Sequence, residues 1–505
     1  MCGPWCRARC VQVPRISREQ AQGVFSSFIL GLLVVCNLVP FGLGLLVTSV
    51  GLFVWFGQAS WSFYASDFTE HSGYTLVAQA DSERGGFAAA PTVASPPSQR
   101  LQYLDTLKAC LTVLVVVHHT AGAFAGAGSL GLSVGNYRNA LQPLLVAFQI
   151  LQQSYFMSLF FFISAYFSPA TVARKGVLGF LKDRLTRLGL PFLPFLLVLG
   201  PLAQMSAQYA ITGAVGYAVY SGPLWFVVWL GVFHFGYATV AEAGGVERYL
   251  ELPLPSVGAF ALAGGGLGLL QGLQLLFFPG FPLMPISFGS LPFDIAFYTG
   301  GVVARRNRWL EAPLPPCLVA CARVYSALFI VGVFAFFGWL YSVGGGLQLL
   351  STNACDAAAP SRGDLTAGSA LGSTLGAILA LATLSGGFTF FMSIALLDLF
   401  RQGCSSAPSP LTKFFSDNAY AAYIIHPLAV FPLTAGFIAY TRKATGLPVN
   451  LWTQAPDSQS CLTSDGSEAA ALTKGLAAVT ALSLLATYAL APAVRMIPGT
   501  KMVLG

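Results

Sequence analysis

Ten apolar stretches recur along this chain, at about 107–126, 143–168, 188–204, 223–241, 257–279, 290–304, 324–343, 373–399, 412–439 and 471–492. Most are near 20 residues long, the length of α-helix that crosses the roughly 30 Å of hydrocarbon in a bilayer. Inside a bilayer the backbone must satisfy its own hydrogen bonds, which leaves helices and closed barrels. Continuous apolar runs of this length predict helices. The expected fold is therefore an all-α integral membrane protein, multi-pass, with a ten-helix transmembrane core. An earlier apolar block, 24–57, is too long for one untilted helix and is broken at Pro40. It reads as one long transmembrane segment or a tight hairpin, an N-terminal extension of one or two helices. Residues 1–23 form a basic N-terminus, 58–100 a polar linker ending in PTVASPPSQR, and 101–495 the transmembrane domain.

Only 9% of the residues are charged, against about 25% in soluble domains, so most of the chain has little water to face. The net charge of +7 therefore says little about nucleic acid, and none is expected as a partner. Its distribution sets topology, because lysine and arginine collect in cytoplasmic loops. Arg174, Lys175, Lys182, Arg184 and Arg187 follow the second stretch, and Arg305, Arg306, Arg308 and Arg323 follow the sixth. Arg401 and Lys413 follow the eighth, and Arg495 and Lys501 the tenth. The alternate loops 127–142, 205–222, 280–289 and 344–372 hold only Arg138 and Arg362; loop 440–470, with Arg442 and Lys443, is the exception. The asymmetry predicts ten spans with both ends cytoplasmic. Arg7, Arg9, Arg15 and Arg18 also favour the cytoplasm, which makes 24–57 a hairpin and the total twelve.

An ionisable group in a bilayer is costly and is a functional candidate by default. His118, His119, His234 and His426 all fall in apolar stretches. His234 has no partner in view and reads as a histidine that packs helices together. His118 and His119 differ, because Asp105 and Lys108 open the same helix (LQYLDTLKACLTVLVVVHHTAGAF). At 100° per residue, Lys108 and His119 lie about 20° apart around the axis and about 16 Å apart along it. Lys108 at the mouth suits a phosphate, and a neutral His119 inside suits a general base. Lys108 also reads as an ordinary snorkelling cation. Arg184 and Arg187, three apart on one expected helical face, suit phosphate as well. They equally read as anchoring charges, with Asp183 paired to Arg187 at i,i+4.

These residues resemble the acyltransferase 3 family of multi-pass O-acyltransferases. LDTLK followed by His119 is similar to that family's helix-one pattern, with Lys108 where the family has arginine. Phe160 to Phe167 (FFFISAYF) with Arg184 to Arg187 is similar to its second motif, with Ala165 where glycine is usual. GPLWFVVWL (Gly222 to Leu230) and DNAYAAYIIHPLAVF (Asp417 to Phe431) also resemble family segments. The resemblance implies transfer of an acyl group from acyl-CoA to a hydroxyl of a carbohydrate, lipid or small molecule. It implies His119 as base, with His118 and Asp105 as further catalytic candidates. It also implies donor binding by Lys108, Arg184 and Arg187. Trp225, Tyr423 and His426 are candidates to support the site from behind.

Two other readings stay open. Intramembrane histidines and Asp294 suit a proton-coupled secondary transporter, although no internal repeat of the transporter kind is present. A receptor-like protein on a degenerate acyltransferase fold is the other. The ten cysteines form no CxxC pair and no Cys/His cluster at metal spacing, so neither a metal nor a bound cofactor is expected. Cys355 and Cys461 fall in loops that the topology puts on the same, non-cytoplasmic side, which predicts a disulfide between them.

Overall fold

The computed structural model describes residues 101–125, 141–242, 252–277, 282–283, 286–287, 290–342, 367–404, 408–445, 466–497 and 500. The expected segment 24–57 and the Cys355–Cys461 pair lie outside the described residues. Cys110, Cys317, Cys321 and Cys404, which are described, are free thiols.

The regular structure of the described residues is helical except for a two-residue antiparallel ladder, β1 (Pro282–Leu283) with β2 (Ile286–Ser287). α1 (Gln102–Phe124) leads by way of α2 (Leu141–Tyr166) into α3 (Ser168–Arg184). α4 (Leu190–Pro194) and α5 (Gly200–Thr212) follow, separated by two widened i→i+5 turns at Leu185–Gly189 and Phe195–Leu199. Pro191, Pro194 and Pro201 stand beside these turns. A proline lacks an N–H and crowds the carbonyl four residues back, so the ladder relaxes into a wider turn. A left-handed Gly213 ends α5, its N–H bonded to the Tyr209 carbonyl. α6 (Trp225–Glu242) starts from a 3₁₀ turn at Gly222–Leu224. Then come α7 (Val257–Phe277), α8 (Leu291–Arg306), α9 (Pro316–Ser342), α10 (Ala367–Gly403), α11 (Pro410–Ile425), α12 (Pro427–Thr445) and α13 (Gly466–Met496). Ser409 caps α11, accepting the Thr412 N–H at 3.1 Å.

Among the described residues eight helices are long and apolar enough to cross a bilayer, or nine if α11 and α12 count as one. The protein is a multi-pass integral membrane protein. Three of the ten expected spans differ from a simple crossing. The third is the centre of a helical run from Ser168 to Ala210. The sixth is α8, whose 16 residues reach about 24 Å, short of the hydrocarbon thickness. The ninth is two helices bent by 63°, because Pro427 directly follows His426 and cannot continue the ladder.

Helix packing is set by glycine. α7 and α10 form the most extensive pair, with Gly264, Gly268 and Gly272 one turn apart on α7. A Cβ on Gly268 would collide with the Ala382 carbonyl, and one on Gly386 with the Gly264 carbonyl. Small residues let membrane helices approach at backbone distance, where dispersion replaces a missing hydrophobic drive. α8 uses the same device against α2: a Cβ on Gly301 would collide with the Phe162 carbonyl and stand 2.9 Å from the Ala165 methyl. That gives Ala165 its place, since its methyl fills space that Gly301 leaves open.

Candidate active site

His118 and His119 sit near the end of α1, and His426 occupies the break between α11 and α12. The His119 and His426 rings stack with centroids 5.2 Å apart and planes 19° apart. His118 meets His119 edge-on at 5.5 Å and the Phe156 ring at 5.0 Å. Gln149 of α2 donates to the His118 carbonyl at 2.7 Å, which ties this turn of α1 to α2. His426 is fully buried. Its Nδ1 lies 2.6 Å from the Tyr423 carbonyl. A carbonyl only accepts, so Nδ1 carries the proton and Nε2 keeps its lone pair. That Nε2, like Nδ1 of His118, has no hydrogen-bond partner among the described residues. Neutral imidazoles with an open nitrogen can take a proton from a hydroxyl.

The other end of α1 is basic. Lys108 pairs with Asp105 at 2.7 Å and lies over the Phe167 ring at 5.3 Å. Phe167 stands edge-on to Tyr166 at 5.6 Å, and Arg305 lies over Tyr166 at 5.5 Å. Asp105, a catalytic candidate at the opening of the same helix, pairs there with Lys108. Fourteen residues of helix set it about 21 Å from His119 along the axis, so it belongs to the basic end.

Between Arg184 and Arg187, expected on one helical face, the helix widens from Leu185 onward. Arg187 keeps the ion pair with Asp183, at 3.5 Å, and is 46% exposed. Asp183 also takes Lys175 at 2.6 Å. Arg184 turns inward over the Phe180 ring at 5.1 Å. The Tyr420 hydroxyl donates to the Arg187 carbonyl at 2.6 Å, which brings α11 to this turn.

Tyr423 joins three of the segments singled out in the sequence. Its hydroxyl donates to the Pro223 carbonyl at 2.5 Å. Its ring lies near Phe160 (6.5 Å), Phe226 (5.8 Å) and His426 (6.0 Å). The Gly222–Leu224 turn, the FFFISAYF helix and the helix break therefore meet on one ring. Trp225, the first residue of α6, packs half-buried against the same core. His234 does bind neighbouring helices, with Nδ1 2.8 Å from the Tyr298 hydroxyl and 3.5 Å from Ser168 Oγ. Asp294 is buried, with Ser290 and Ser158 donating to its two oxygens at 2.7 and 3.3 Å. Among the described residues no three His, Cys, Asp or Glu side chains are grouped to hold a metal ion.

Sequence reasoning did not foresee the stacking of His426 on His119, nor Gln149. The signal for the first was present: an apolar stretch carrying His–Pro must break there and aim the end of a half-helix inward. Gln149 gave no signal beyond a lone amide in an apolar run.

The arrangement of segments can be compared with known proteins. No curated protein and no solved structure matches the chain. A family model described as an acyltransferase domain matches residues 101–488, from the residue before α1 to within α13. That span covers more than half of the chain and contains every motif segment that meets around His119, His426 and Tyr423; the chain belongs to the acyltransferase 3 family.

Proposed function

We propose that this protein transfers an acyl group from acyl-CoA to a hydroxyl of a carbohydrate, lipid or small-molecule acceptor within the membrane. The observation that carries the reading is His119, stacked on His426 and about 16 Å along α1 from Lys108. That separation suits an extended pantetheine arm, with the nucleotide phosphates at the basic end and the thioester at the histidines.

In this reading His119 accepts the proton of the acceptor hydroxyl as its oxygen attacks the thioester carbonyl. The new C–O bond forms, the tetrahedral intermediate collapses, and the C–S bond breaks. The proton held by His119 passes to the leaving thiolate, which departs as coenzyme A. A base positioned this way contributes about 10²–10⁴-fold. His426 fixes the plane of His119 by ring contact, and its own tautomer is set by the Tyr423 carbonyl. Gln149 and Tyr423 hold the two helices that carry these rings. Lys108 and Arg184 hold the donor phosphates, and Asp105 orients Lys108.

The test is thiol release from acyl-CoA by purified protein in lipid discs, screened across carbohydrate, lipid and small-molecule hydroxyls. Acceptor-dependent release is expected. No release with any class, together with proton-coupled uptake of a solute into vesicles, would replace the enzyme reading by the transporter one.

A further inference from the structure

We infer that His234 and Tyr298 are positioning residues that hold Arg184 in its inward orientation, an assignment that rests on the acyl-CoA reading of Arg184. Neither residue belongs to the motif segments, and the sequence gives His234 only a packing role. The structure gives it a particular set of neighbours.

Arg184 is carried into the bundle by α3, which is bent at Gly176. There φ is +69° and ψ is 171°, a conformation that residues with a Cβ rarely adopt. Beyond the bend, Phe180 is fully buried. One face of its ring takes the Arg184 guanidinium at 5.1 Å. Its other neighbours are His234 at 5.3 Å and Tyr237 at 6.0 Å, both edge-on. His234 is in turn bonded to Tyr298 on α8 and near Ser168 at the start of α3. The Phe180 ring thus joins the Arg184 guanidinium to the His234–Tyr298 pair. Three helices converge on the ring that carries the cation, α3 through Phe180, α6 through His234 and α8 through Tyr298.

The chemistry of that cation points to an anion. Burying a guanidinium is costly unless its N–H groups are bonded and its charge is met. Arg184 Nε is buried without a hydrogen-bond partner among the described residues. The carboxylate beside it in sequence, Asp183, is taken by Lys175 and Arg187. The Phe180 face, held in place by His234 on its edge, supplies partial negative charge. It does not neutralise the guanidinium, so the cation stays available to a phosphate.

The decisive variant is Tyr298→Phe. It keeps the ring, which packs against Phe233 at 5.3 Å, and removes only the hydroxyl that binds His234. Coenzyme A binding to purified protein in lipid discs is measured by calorimetry, and the acyl-CoA KM and kcat by thiol release. Tyr298→Phe is expected to weaken coenzyme A binding and raise KM by about tenfold, the worth of one buried hydrogen bond, with kcat within about twofold. His234→Gln, which can still bond Tyr298, should recover part of the loss suffered by His234→Leu. In an Arg184→Ala background Tyr298→Phe should cost nothing further, because the group it positions is gone. Normal coenzyme A binding by well-folded Tyr298→Phe and His234→Leu proteins, or losses additive with Arg184→Ala, would overturn the inference alone. Absence of coenzyme A binding by wild-type protein would overturn the donor reading and the inference with it.

Discussion

The two ends of α1 are built on different rules. At the basic end Lys108, Arg305, Arg187 and Arg401 are already engaged, and Arg184 alone among the donor candidates keeps an open Nε. Lys108 has Asp105 and Phe167, Arg305 has Glu311 and Tyr166, and Arg187 has Asp183. Arg401 reaches the carbonyls of Leu310, Glu311 and Ala312. At the histidine end polar nitrogens are left open, on His118 and His426, among Phe156, Tyr423 and Phe226. Water is scarce there, and an unbonded buried nitrogen costs on the order of 1–3 kcal/mol. A fold keeps such a group where a ligand completes it. The contrast assigns binding to one end and chemistry to the other, and it can be broken by variants that move the wrong parameter.

The largest effect should come from the histidine end. His119→Ala is expected to lower kcat by about 10²–10⁴-fold while coenzyme A affinity stays unchanged. His426→Ala should lose up to about 10²-fold through misplacement of the His119 ring, and His118→Ala should keep a partial activity. Turnover at equal membrane expression, paired with a binding measurement, reads both quantities. A His119→Ala protein with wild-type turnover would end the general-base assignment. One that had lost only coenzyme A affinity would erase the distinction between the two ends.

Arg184→Ala comes next, and it separates the two arginines from each other. Arg184 is half-buried with its Nε shut off from water, and a hydrogen bond to a charged group is worth about 1.5–3 kcal/mol. Its loss should raise the acyl-CoA KM by roughly ten- to a hundredfold. Arg187 is exposed and paired at 3.5 Å, in the class of surface ion pairs worth at most about 1 kcal/mol. Arg187→Ala should therefore raise KM by less than about fivefold. Equal losses in the two variants would make the two arginines one phosphate site.

That pair shows where the sequence was legible and where it was not. Apolar length places a helix on each of the ten stretches, because the bilayer leaves no other way to satisfy the backbone. The shared face of Lys108 and His119 follows from helix rise and angle alone. The same arithmetic loses its regular step between Arg184 and Arg187, where the helix widens from Leu185. At residues 412–439 Pro427 makes of one stretch two helices bent by 63°. Both departures have one cause: periodicity assumes a regular ladder, and proline removes a rung. The His119–His426 contact was half legible. The His–Pro break marks where a half-helix ends, but its partner lies more than 300 residues away, and single-sequence reasoning holds no term for such a distance. Glycine is intermediate. The i,i+4 spacing of Gly264, Gly268 and Gly272 is visible in the sequence, but its partner Gly386 is known only from the packed pair.

The glycine seam between α7 and α10 provides a control for both ends. Gly268→Leu would press a side chain into the Ala382 backbone. Overpacking of this kind costs about 1–3 kcal/mol. Thermal unfolding in detergent should shift down, while the folded fraction keeps wild-type kcat and KM. A selective loss of coenzyme A binding in folded Gly268→Leu protein would mean that the seam takes part in the donor site.

The smallest expected effect is at Lys108, where the resemblance of the LDTLK segment implies an arginine. Lys108 has its Nζ on Asp105 at 2.7 Å and above Phe167, with about a third of the side chain exposed. An arginine at this position would keep both contacts, since a guanidinium pairs with a carboxylate and stacks on an aromatic face at least as well as an ammonium does. It would add a second N–H edge for a phosphate. Lys108→Arg is therefore expected to leave kcat unchanged and to shift the acyl-CoA KM by no more than about threefold, in the direction of tighter binding. Lys108→Ala should raise KM and remove the cation that pairs with Asp105 at 2.7 Å. The double variant Lys108→Ala with Asp105→Asn should then recover part of that loss, because it removes a negative charge that would repel the donor phosphate. KM titrations of the four proteins decide it. If Lys108→Arg instead abolishes turnover while coenzyme A still binds, the lysine is doing chemistry, and the division of α1 into a binding end and a reacting end fails.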